Sequence, residues 1–206
     1  MRDKEISMDL VKENPTLPIS PKQYLSQAMP SSLLDAAKQT VNWEGRRDAN
    51  GNLAVYELPS GDMGGSYEVA GINDRFHPQA AEMLKNMSPS EREDFAAKYI
   101  EDYTSPLTSK LPEQYRPFFQ DLAFNRGLAG ATKLLQRAIG VKDDGLLGPK
   151  TLAALEQQNP RDVLRKTSLE QLSYERRLAE ENPERKKFLG GLENRIRNRL
   201  AIFGQI

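Results

Sequence analysis

Glu44 ends an apolar helical pattern, follows the chain's only tryptophan, Trp43, and precedes Gly45. Packing a carboxyl against an indole desolvates it, and desolvation favours the protonated form. A carboxyl that keeps its proton near neutral pH is the general acid that glycosidic-bond cleavage requires. The same reaction needs a second group across the cleft, about 6.5–9.5 Å away for inversion and about 5–5.5 Å for retention. Asp48, Glu57, Asp62 and Glu68 all follow in a turn-rich stretch, with Asp62 and Glu68 the leading candidates. The substrate's own acetamido or hydroxyl group is the alternative to a second carboxylate. Other chemistries are scarce. The 206 residues contain no cysteine and one histidine, His77, so thiol chemistry, disulfides and multi-histidine zinc sites are excluded. No metal or other cofactor is expected.

The elements that must position these residues read as mainly α, with a small β-hairpin or sheet near the N-terminal third. Residues 1–30 are polar and carry Pro15, Pro18, Pro21 and Pro30, which predicts an extended arm or linker. Ser31-Ser32 forms an N-cap pair before Leu33, Leu34, Ala37 and Val41 at helical spacing. Leu53–Tyr56 and Tyr67–Ile72 are strand-capable, with Asn50-Gly51 as a turn. Helices then follow from Pro78, from Ser88-Pro89-Ser90-Glu91 to Tyr103, from Pro117 to a stop at Gly127, and from Leu128 to Ile139. Pro149 heads a short helix, and two long charged helices span about 161–180 and 183–203, the last weakened at Gly190-Gly191.

Several short motifs recur in a telling order. These are Glu44-Gly45-Arg46, Asp62-Met63-Gly64-Gly65, Gly71-Ile72-Asn73, Asp102-Tyr103, Asp121 to Gly127 as Asp-x-x-x-Asn-x-Gly, Leu135-Gln136, and Asp144-Gly145 followed by Gly148-Pro149-Lys150-Thr151-Leu152. In this order, from about residue 33 to 200, they resemble the glycoside hydrolase 108 family of bacterial and phage peptidoglycan muramidases. The resemblance implies a lysozyme-like domain over 31–206. Residues 31–127 would be its catalytic part and 128–206 a peptidoglycan-binding-type helical part. It further implies N-acetylmuramidase activity on the β-1,4 bond between N-acetylmuramic acid and N-acetylglucosamine, with Glu44 as general acid. Asp62 or Glu68 would assist, and Tyr67, Asn73, Tyr103 and Asn125 would contact the substrate. Two departures stand out: Arg46 replaces the second glycine of Glu-Gly-Gly, and the family's threonines after Asp-x-Gly-Gly are replaced by Tyr67, Glu68 and Asn73.

Other readings stay open. A lytic transglycosylase, which forms 1,6-anhydromuramic ends, needs only one glutamate. A non-catalytic peptidoglycan-binding or virion structural module fits the altered hairpin. Asp121 and Asn125, one turn apart on a helix, read as buried polar groups holding that helix against the hairpin, with Asn125 also able to bind an N-acetyl group. The Asp144–Thr151 loop reads as chiefly structural, with glycan contact as the alternative that the resemblance implies, and His77 as a surface residue.

Lys+Arg and Asp+Glu both number 29, which argues against a nucleic-acid partner. Residues 161–206 nevertheless hold 11 basic and 7 acidic side chains, either a solvated mixed-charge surface or a face for an anionic wall. No apolar run reaches transmembrane length, and the first residues lack the apolar stretch of a signal peptide. The expectation is synthesis in the cytoplasm and action on the cell wall after release, or carriage in a virion. The partners are then peptidoglycan glycan strands and, through residues 1–30, a holin, virion or secretion machine.

Overall fold

The computed structural model describes residues 30–59 and 65–205. The expected arm, apart from Pro30, and the candidate Asp62 lie outside the described residues. Seven α-helices and one three-stranded antiparallel sheet make up what is described, the mainly-α, lysozyme-like organisation expected. The helices are α1 (Leu33–Glu44), α2 (Pro78–Asn86), α3 (Arg92–Thr108), α4 (Arg116–Ala138), α5 (Pro149–Glu156), α6 (Pro160–Glu181) and α7 (Lys186–Phe203). The strands, β1 (Tyr56–Glu57), β2 (Tyr67–Val69) and β3 (Ile72–Asn73), pair in the order β1-β2-β3. No helix among the described residues is long and apolar enough to cross a membrane.

Local chemistry sets the helix ends. The Ser32 hydroxyl accepts a hydrogen bond from the Asp35 amide at 3.1 Å and caps α1. Asn159 caps α6 by accepting from the Asp162 amide. Within α4, Gly127 adopts φ 71° and ψ 159°, a conformation almost confined to glycine. The expected stop is thus a break, after which the chain resumes as helix. In contrast, α3 runs past Tyr103 and through Pro106 to Thr108. Pro106 cannot donate to the Asp102 carbonyl, and the Ser105 hydroxyl donates to it instead at 2.8 Å. Buried Leu107 and Thr108 hold that last turn against the core. The Gly190-Gly191 pair leaves α7 unbroken, because both lie exposed on a helix whose other face is anchored by Ile196, Arg199, Ile202 and Phe203.

Two apolar clusters lie on either side of α1. Ala36 belongs to one, with Phe118, Phe119 and Leu122 of α4, Val163 and Leu164 of α6, and Ile202 and Phe203 of α7. Ala37 and Val41 belong to the other, with Leu53, Val69 and Ile72 near the sheet, Ala81 and Leu84 of α2, and Ala96, Ala97 and Ile100 of α3. Each fully buried Leu, Ile or Phe contributes about 1.5–3 kcal/mol. The end of α1 is therefore fixed from both sides, and Glu44 sits at that end.

The hairpin differs in detail from its sequence reading. Val69 pairs with Ile72 across a two-residue turn at Ala70 and Gly71, both with positive φ (50° and 76°), so Tyr67–Ile72 is two strands rather than one. Asn50-Gly51 turns a separate loop, closed by a single bridge between Arg47 and Leu53.

Candidate active site

A cleft of about 570 Å³ opens where the end of α1, the β2–β3 hairpin, the start of α2, α3 and the Gly127 break of α4 meet. Five of the candidate residues line it: Glu44, Glu68, Asn73, Tyr103 and Asn125. The hairpin tip lies on Glu44. A Cβ on Gly71 would stand 3.4 Å from the Glu44 Cγ and 3.3 Å from the Phe124 ring, so glycine serves here for both close approach and positive φ.

Register decides which hairpin residues face the cleft. Glu68 pairs with Asn73, so the two side chains share one face of the sheet. Alternation sends Tyr67 to the other face, where it lines a separate pocket with Val55, Glu57 and Lys85, whose Nζ lies 4.3 Å from its ring. Tyr67 is thus not beside Glu44, because strand alternation separates it from its neighbour Glu68. Two further carboxylates also fall elsewhere. Glu57 lines the Tyr67 pocket. Asp48 accepts from the Asn52 and Asn50 amides, which lowers its pKa and commits it to the loop turn. Asn73 is partly committed as well, accepting from the Phe76 amide at 2.9 Å. Asn125 donates to the Asp121 carbonyl at 2.9 Å while lining the cleft.

The surroundings of Glu44 are not those its sequence neighbour suggests. The Trp43 indole packs against Phe203, with ring centroids 5.5 Å apart, and carries the Arg195 guanidinium 4.6 Å above its face. Arg195 Nη1 pairs with Glu44 Oε1 at 3.1 Å, and 28% of the Glu44 side chain is exposed. Through Nη2 and Nε, Arg195 also donates to Asp121, which is fully buried. Asp121 in turn pairs with buried Arg199 and accepts from the Thr40 hydroxyl at 2.9 Å. Arg199 donates to Gln171 at 2.6 Å. Burial by itself would raise the Asp121 carboxyl, but the two guanidinium charges and their hydrogen bonds bring it down to about 2. The expectation that Asp121 holds its helix in place is met, though its partners are α1 and α7 rather than the hairpin.

His77, read from sequence as a surface residue, is half-buried in the cleft wall. Its Nδ1 lies 2.9 Å from the Tyr99 hydroxyl, and its ring meets Tyr103 edge-on at 4.9 Å and stacks on Phe124 at 6.0 Å. Burial among these rings pushes the imidazole below its ordinary pKa. Phe76 beside it is 64% exposed and also lines the cleft. The Tyr99–Tyr103 spacing of one helical turn carries the only sequence trace of this aromatic wall. Arg46 lays its guanidinium 3.5 Å over the Tyr56 ring of β1.

The loop motif after α4 closes on itself. Buried Gln136 donates to Asp144 Oδ1 at 2.8 Å, to the Leu146 carbonyl at 3.1 Å and to the Thr151 hydroxyl at 3.2 Å. Its own carbonyl accepts from the Gly145 amide at 2.8 Å. The Leu-Gln and Asp-Gly…Thr motifs are thus two halves of one hydrogen-bond cluster that shapes the loop.

Comparison with known proteins bears on both halves of the chain. Residues 130–197 match a family described as a predicted peptidoglycan domain, which relates this segment to peptidoglycan. In fold, the chain is similar to the structure of Brucella abortus SagA, with a TM-score of 0.59 over 82% of this chain and 94% of that one, at 21% identity. At that identity the likeness concerns the fold alone. A search of curated proteins gives no match.

Proposed function

We propose that the chain is an N-acetylmuramidase that cleaves the β-1,4 bond between N-acetylmuramic acid and N-acetylglucosamine. The observation that carries this reading is one cleft with a helix-end carboxylate, Glu44, a hairpin carboxylate, Glu68, and an aromatic wall. Glu44 protonates the glycosidic oxygen as the bond to the anomeric carbon breaks. Glu68 orients a water toward that carbon, or stabilises the oxocarbenium-like state. Tyr103 and Phe76 offer faces for sugar rings, and Asn73 and Asn125 offer amides for N-acetyl groups. The matched segment, 130–197, supports peptidoglycan as the polymer.

Mass spectrometry of digested, purified peptidoglycan tests this reading. Reducing muramic ends are the expected product. Terminal 1,6-anhydromuramic acid would instead identify a lytic transglycosylase. Binding to sacculi with no soluble fragment would overturn the enzymatic reading in favour of a binding module.

A further inference from the structure

The segment similar to a peptidoglycan domain contacts one of the residues that line the cleft. Arg195, on α7, forms an ion pair with Glu44, and its side chain is only 10% exposed. Its guanidinium is fixed on three sides, by Glu44 on one, by Asp121 along Nε and Nη2, and by the Trp43 ring beneath it. Two of those supports are anchored in turn: Asp121 by Arg199 and Thr40, and Trp43 by Phe203. A planar guanidinium can bridge two carboxylates at once, whereas an ammonium is a point charge without that fork.

Building on the muramidase reading, we propose that Arg195 is a positioning residue that holds Oε1 of the Glu44 carboxyl in the cleft and leaves Oε2 to carry the proton for the glycosidic oxygen. On this account α7 is a structural half of the active site and not an appended binding module. Trp43 serves as the floor for Arg195 rather than as a cover for Glu44.

The test uses the full chain with Arg195→Gln and Arg195→Lys, assayed on purified peptidoglycan alongside melting temperatures. Arg195→Gln still folds, because Asp121 keeps Arg199 and Thr40. Its kcat falls about 10- to 100-fold, the cost of a misplaced catalytic group, while KM changes little. Arg195→Lys restores the melting temperature but not kcat. A wild-type kcat in Arg195→Gln overturns the proposal. So does a Lys variant that recovers both stability and kcat, since charge alone then suffices. Should the Gln variant fail to fold, kcat of the Lys variant decides by the same criterion. A second readout is independent of activity: the carboxyl ¹³C resonance of Glu44, assigned with Glu44→Gln. It moves in the Arg195 variants if the contact is formed and stays put if it is not. If the wild type releases no fragments, the muramidase reading falls alone, and this resonance decides whether Arg195 fixes Glu44.

Discussion

Two polar clusters of similar sequence appearance behave differently in this fold. Around Gln136, the side-chain amide meets Asp144, Leu146, Thr151 and Gly145, and the cluster ends within the loop it shapes. Around Asp121, the network runs from Arg199 through Arg195 and ends on Glu44, a carboxylate that is partly exposed in the cleft. Both arise from short motifs that a sequence comparison would weigh equally. A cluster whose donors and acceptors meet one another builds structure, whereas one that ends on a group facing a cleft can hold that group for chemistry.

The largest expected effect is on the open network. Asp121→Asn leaves Arg199 buried without its paired carboxylate and removes one of the two carboxylates that hold Arg195, and should cost about 3–5 kcal/mol in denaturant unfolding. A cost near zero would mean the network does not anchor α7. Acid should reveal the same group. With its pKa depressed from 3.8 to about 2 on folding, Asp121 stabilises the fold above pH 4, and that stability is lost as pH falls through about 2. The loss amounts to about 2 kcal/mol. Urea midpoints at pH 7, 4 and 2.5 should show it in the wild type and less of it in Asp121→Asn.

The closed cluster gives a smaller effect of a different kind. Gln136→Leu strands the Gly145 amide and the Thr151 hydroxyl, and should destabilise by about 1–3 kcal/mol. Activity per folded molecule should stay unchanged, and a loss of activity without loss of stability would place this loop on the substrate. Smallest of all in stability is Phe76→Ala. An exposed ring at the cleft should change unfolding by no more than about 0.5 kcal/mol. Removing a stacking face should still raise KM about three- to tenfold, as a contact worth about 0.5–1.5 kcal/mol implies.

What the sequence made legible was mostly local. Ser32 capped its helix, Gly127 broke α4, and Pro149 opened α5, because each depends on a few neighbouring backbone groups. Glu44, Glu68, Asn73, Tyr103 and Asn125 converge on one cleft, although they come from five elements. The failures needed tertiary knowledge. Tyr67 was separated from Glu68 by the pairing register. His77 gained its place in the cleft from Phe124 and two tyrosines of α3. Arg195 reaches Glu44 across nearly the whole chain, and no spacing rule could have shown it. The basic excess of residues 161–206 also reads differently in three dimensions. Arg165, Arg176, Arg177, Arg185, Lys187, Arg195, Arg197 and Arg199 all sit in ion pairs, so most of that charge is met within the protein.

The central claim is that Glu44, fixed at the end of α1, is the acid of a glycosidase. Its most direct test is fragment release from purified peptidoglycan by the wild type and by Glu44→Gln, with melting temperature and sacculus binding measured on the same samples. Release should fall at least about 100-fold, as expected for loss of a general acid, with folding and binding retained. Near-normal release by folded Glu44→Gln would contradict the account.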